Sequence, residues 1–158
     1  MKDVVGSPGT WCSLALRVSQ FLCAGACFGA MATVDSSATN KFNGFRYLVV
    51  SMLVQFFWSF GLACVDAYAL KTGTDFHTRG FVVPSTIVDW IMGVHTFGVA
   101  SASAGLAVFF ERDTELCTLT PMHSVCSNFK VAVILVFVTW SFIAASATSM
   151  FWLFASLD

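Results

Sequence analysis

Four apolar runs dominate the chain, at approximately 11–34, 45–70, 81–110 and 129–157. Each reaches the roughly 20 residues that a helix needs to cross a bilayer core. Polar segments separate them: "DSSATNKFNG" (35–44), "KTGTDFHTRG" (71–80) and "ERDTELCTLTPMHSVCSN" (111–128). Inside the runs, polar and small residues recur at helical spacing. Ser13, Arg17, Gln20, Ala24 and Cys27 are three or four residues apart and form one stripe. Ser85, Asp89, Thr96 and Ser103, at steps of four, seven and seven, form another. Short connections make sequential helices antiparallel neighbours. The pattern therefore predicts an all-α membrane protein, an antiparallel bundle of four transmembrane helices in a single domain over residues 1–158. Pro84 is expected in the first turn of the third helix, where its missing N–H costs little.

Composition supports lipid as the solvent. The chain is 57% hydrophobic and 11% charged, whereas a soluble domain is about 25% charged. Seventeen Phe and five Trp exceed what one small water-soluble core can hide. The first apolar run is interrupted by Arg17 and long enough to span, so a cleaved signal peptide is not expected. A formal net charge of -1 and the absence of a basic stripe argue against a nucleic-acid partner.

Four spans place both termini on one side. Basic-residue counting mildly favours termini outside, because Lys41, Arg46, Arg112 and Lys130 flank the first and third loops. The cysteines favour the reverse and carry more weight. Cys117 and Cys126 share the longest loop, and two cysteines in a polar segment imply a disulfide in an oxidising compartment. The other reading is a pair of free thiols in a cytosolic loop. His123 adds a third possible metal ligand, but no fourth is near it in sequence.

The two stripes each carry a charge. Arg17 lies six residues into the first span, about 9 Å along the axis, and Asp89 lies five residues beyond Pro84, about 7–8 Å. Spans one and three run parallel, so these opposite charges share a depth. Each alone costs roughly 2.5–3.5 kcal/mol near a helix centre; together they are expected to form an intramembrane ion pair. The functional alternative has Asp89 carry protons or ions. Asp66, an additional acid five residues before Lys71, is read as reaching the interface, or alternatively as a buried functional acid. His95 is about 240° from Asp89 around the helix, so a relay between them is disfavoured and a hydrogen-bonded packing role is expected.

Small residues mark packing faces. Gly25 and Gly29 form a GxxxG in the first span, and Ser101 and Gly105 repeat the spacing in the third. In lipid such positions let helices approach closely. They are expected to pack the bundle's interior, with a subunit contact as the alternative.

Chemistry-bearing clusters are scarce. The three histidines are scattered, and neither a phosphate-binding glycine loop nor a nucleophile elbow occurs. A nonenzymatic protein without a cofactor is expected.

These residues resemble the plant Casparian strip membrane domain protein-like (CASP-like) family, related to the MARVEL tetraspans. The resemblance rests on four short-looped spans, Arg17 in the first and Asp89 in the third. It is most similar to the fifth subgroup, through "MKDVVGSPGTW" (1–11), "WSFGLACVDAYA" (58–69), "FERDTELC" (110–117) and "SATSMFW" (146–152). Casparian strip members proper carry a long aromatic signature in the first outer loop, and "DSSATNKFNG" has none. The resemblance implies a plasma-membrane location, cytosolic termini, and homo-oligomers or hetero-oligomers with related tetraspans. It also implies a platform that organises membrane lipids and cell-wall modification. Arg17 and Asp89 match the family's charge pair, and Cys117 and Cys126 its second-loop cysteines. The leading expectation is a self-associating scaffold; the alternative is a small transporter or channel using buried Asp89 and Asp66.

Overall fold

In a computed structural model, residues 10–33, 43–73, 79–112, 117 and 123–156 are described. They form four helices: α1 Trp11–Ala32, α2 Asn43–Thr72, α3 Arg79–Arg112 and α4 His123–Ser156. All four are long and apolar enough to cross a membrane. The ends carry local signals. Thr10 caps α1, its side chain accepting from the Ser13 N–H at 3.3 Å. Gly73 follows α2 with φ +64°, the left-handed conformation that ends helices at least cost with glycine.

Two expected boundaries differ. α3 begins at Arg79, so Pro84 lies inside the helix rather than in its first turn. Its ring removes the N–H that would bond the Gly80 carbonyl, and Gly80 is exposed at the helix end. α4 begins at His123, so Cys126 stands on its first turn instead of in a loop. The polar residues from His123 to Asn128 concealed that start from a search based on hydrophobic runs.

Cross-helix bonds fix the topology. Ser13 meets Asp66 and Ser59 meets Gln20, so α1 and α2 are antiparallel. Gln20 meets Phe142 and Cys27 meets Ala132, which sets α1 against α4 in the same sense. α1 packs mainly on α2 and α4, and α4 on α1 and α3; α2 and α3 form the thinnest seam.

The interior has two halves. Toward the Phe45, Phe110 and Phe129 ends it is apolar, with Phe45 and Phe129 rings 4.6 Å apart over Leu48, Met52, Val99 and Val136. Toward the Trp11 and Ser156 ends it is polar, with Ser13, Arg17, Gln20, Gln55, Ser59 and Asp89 all buried. Large apolar side chains such as Leu22, Phe57, Ile91 and Trp152 face outward. A soluble fold could not tolerate that distribution; in lipid, outward apolar groups are solvated and interior polar groups bind helices together.

The four small-residue positions lie in different surroundings. A Cβ on Gly25 would lie 3.2 Å from Phe56 Cε2, so α2 presses on α1 there. Gly29, Ser101 and Gly105 are exposed, and nothing lies within 4 Å of a Cβ built on either glycine. The spacing alone marks a smooth helix face without saying which way it turns. Gly25→Leu is accordingly expected to destabilise by about 1–3 kcal/mol, as overpacking does, and Gly29→Leu to be near neutral. Thermal unfolding of the two variants in the same detergent measures the contrast; equal melting temperatures would contradict it.

Candidate functional site

The polar half of the bundle is organised around Arg17. Its position on the α1 stripe turns it inward, where 1% of its side chain is exposed. α3 delivers Asp89, also 1% exposed, from the opposite side. Nη1 of Arg17 donates to Asp89 Oδ1 at 3.0 Å, and Nη2 donates to Oδ2. The contact is bidentate, the geometry that a planar guanidinium and a carboxylate favour. Burying either ion alone would incur a desolvation penalty of several kcal/mol; the mutual attraction and added hydrogen bonds offset it.

Those added bonds come from residues outside the charge pattern. Trp58 on α2 donates its indole N–H to Asp89 Oδ1 at 3.1 Å. Gln20 Oε1 accepts from Arg17 Nη1 at 3.4 Å and from the Ser59 hydroxyl at 3.2 Å. The Gln20 amide N–H₂ donates to the Phe142 carbonyl of α4 at 3.0 Å. Gln55 donates to Ser59 at 2.9 Å. One network thus joins all four helices. Among the described residues, the buried atoms Arg17 Nε, Gln55 Oε1 and Thr96 Oγ1 have no hydrogen-bond partner.

Sequence reasoning missed Trp58 and the α2 stripe. Ser51, Gln55, Ser59 and Asp66 fall at steps of four, four and seven and are all buried. That spacing was available, and a partly buried indole needs an acceptor for its N–H.

Asp66 differs from the interfacial reading. It is 4% exposed, and Oδ2 accepts from the Ser13 hydroxyl at 2.6 Å. α1 covers it at this point, so nearness to a helix end did not bring it to the surface. His95 bonds Tyr47, with Nε2 and Oη 3.1 Å apart, but on the outer surface of the α2–α3 seam. Tyr47 is itself exposed there.

At the other end, Cys117 and Cys126 are joined as a disulfide with Cα atoms 5.8 Å apart. It ties the segment after α3 to the first turn of α4. Lys130 and Glu111 pair at 2.8 Å between the same helices, and Asn128 donates to Thr33 at 3.1 Å between α4 and α1. The exposed ion pair contributes little to stability.

The class these features define is a multi-pass membrane protein, a four-helix bundle latched internally by a hydrogen-bonded ion pair. Residues 6–144 match the family model of the Casparian strip membrane protein domain. CASP-like protein 5B3 of Oryza sativa subsp. japonica is 50% identical over 157 residues, covering 99% of this chain and all of that protein. CASP-like protein 5B1 of Arabidopsis thaliana is 39% identical over 97% of this chain and 99% of its own length, and CASP-like protein 5B2 of Zea mays is 36% identical over 99% of each. The chain belongs to the CASP-like membrane protein family. No solved structure matches it.

Proposed function

We propose that the protein is a nonenzymatic, self-associating scaffold of the plasma membrane, with cytosolic termini. The observation that carries this reading is the outer face of α3. Ile87, Ile91, Val94, Gly98, Ser101 and Gly105 recur at alternating steps of three and four and are all exposed. None belongs to the buried core among the described residues, and the run from Gly98 to Gly105 lets a second helix approach closely. Partners of this face are other copies of the chain or related tetraspans, with membrane lipids around them. The Cys117–Cys126 disulfide supports an oxidising, extracellular side for that end of the bundle.

The transporter or channel reading draws on Asp89 and Asp66. Against it, both carboxylates are engaged: Asp89 by Arg17 and Trp58, and Asp66 by Ser13. Arg17 occupies the interior space beside Asp89 that a conducting path would need.

Gly105→Leu separates association from folding, because a Cβ at Gly105 meets nothing within 4 Å. Single-particle tracking with stepwise photobleaching in native membrane should find slow, multi-copy particles of the wild type. The variant should reach the surface at normal levels yet move as smaller, faster particles. Mobile wild-type monomers would remove the scaffold reading.

A further inference from the structure

Exposed hydroxyls on α4 satisfy themselves: Ser141 and Thr148 donate to the Phe137 and Ala144 carbonyls one turn back on the same helix. Tyr47 and His95 cannot do so. They meet across the outside of the α2–α3 seam, Oη to Nε2 at 3.1 Å, with ring centroids 6.0 Å apart and the rings edge-on. Both residues are exposed. Neither has a further hydrogen bond among the described residues.

Their depth makes this costly. The span of α3 is Val83–Arg112, and its midpoint falls between Phe97 and Gly98. His95 is therefore about 4 Å from the centre along the axis, in a hydrocarbon layer of half-thickness about 15 Å. Headgroups and water lie out of reach. Acyl chains offer neither donor nor acceptor, so a polar group facing them keeps an unmet hydrogen bond.

The hydrogen-bond inventory of the pair defines what would meet it. Suppose Tyr47 donates to Nε2 of a neutral imidazole. The ring proton is then on Nδ1, and the pair presents Nδ1–H as donor and the Tyr47 oxygen as acceptor. In the other tautomer Nε2–H donates to the Tyr47 oxygen, and the pair presents the Tyr47 O–H as donor and Nδ1 as acceptor. Either way a donor and an acceptor are left over, so the pair is complementary to itself. Two copies about a two-fold axis exchange one bond in each direction.

The surroundings admit a second copy. Ile91, His95, Gly98 and Ala102 follow one another at steps of four, three and four, and all are exposed. A Cβ built on Gly98 meets nothing within 4 Å, and small residues beside His95 let another helix come close. Val50 and Val54 are exposed on the Tyr47 side of α2. We propose that Tyr47 and His95 are the polar centre of an isologous contact between two copies of this chain, with each His95 bonded to the second copy's Tyr47. The two-fold axis runs along the membrane normal. This inference rests on the self-association reading and says where two copies meet: the outer face of α3 continues round to the α2 seam. A chain lacking either group leaves a donor or acceptor facing acyl chains, so the contact selects chains that carry both.

The test uses the full-length protein at low density in phosphatidylcholine vesicles, with copy number read by stepwise photobleaching. His95→Leu and Tyr47→Phe should each weaken association about five- to tenfold, the equivalent of two interhelical hydrogen bonds in a bilayer. The double variant should lose no more than either single one, because each change opens the same ring of bonds. Ala102→Cys leaves the pair intact. With a lipid-soluble oxidant it should cross-link two copies above the level set by the native free cysteines, and Leu22→Cys, exposed on α1, should not. Should a variant of the pair fail to fold, this contrast decides. Association that neither substitution weakens, or equal cross-linking through Ala102→Cys and Leu22→Cys, overturns the contact and leaves the scaffold reading standing. Monomeric wild type in the same vesicles removes both.

Discussion

Asp89→Ala is expected to be the most damaging single substitution in the bundle. It leaves the Arg17 guanidinium buried with a 3.4 Å contact to Gln20 in place of its carboxylate, and takes the acceptor from the Trp58 indole. Breaking a buried pair by removing one partner costs about 3–5 kcal/mol, because the remaining charge is uncompensated. Fluorescence-detected size exclusion should show loss of the monodisperse peak, and surface delivery should fall. The double variant Arg17→Asp with Asp89→Arg should recover part of that loss. Full recovery is not expected, since Trp58 would aim its N–H at a cation and Gln20 its carbonyl oxygen at an anion. A fully stable Asp89→Ala that had lost ion flux would replace the latch with a transport role. Normal stability with no other defect would remove both.

Opening the Cys117–Cys126 bridge is the second large effect. The bond closes a loop with a sequence separation of 9, for which chain entropy gives about 2–3 kcal/mol. Cys117→Ser should lower the melting temperature in non-reducing buffer and leave it unchanged relative to wild type under reductant. The polar ties Lys130–Glu111 and Asn128–Thr33 at this end are both exposed, so they compensate little. On intact cells, a membrane-impermeant thiol reagent should leave wild-type Cys117 and Cys126 unlabelled until reductant is added. Labelling of both without reductant would remove the bridge.

Much of this molecule was legible in the chain because the bilayer simplifies the reading. A span must be apolar over a fixed length and must satisfy its own backbone, so four runs yield four helices with little ambiguity. The inward faces were legible for the same reason: Arg17 and Asp89 are too costly to place against lipid, and their spacing from the helix ends gave a common depth. The positions whose surroundings were not legible carry no such penalty. Gly29, Ser101 and Gly105 are equally tolerable inside the bundle or facing lipid, so their spacing did not fix their direction. Asp66 sits near a helix end, where water and burial are both accessible to a carboxylate, and only the position of Ser13 on α1 decided between them.

The sequence by itself thus determined the number of helices, their antiparallel course and the two opposite charges at one depth. These follow from the free energy of placing apolar and charged groups in hydrocarbon, which depends on residue type and position along a helix. The tertiary structure decided which neighbours complete the ion pair, that α2 and α3 form the thinnest seam, and that Tyr47 and His95 meet on its outer surface. Those outcomes depend on how each helix is rotated against the next. That rotation is set by many small packing contacts from different helices acting together, and no single segment of sequence contains it.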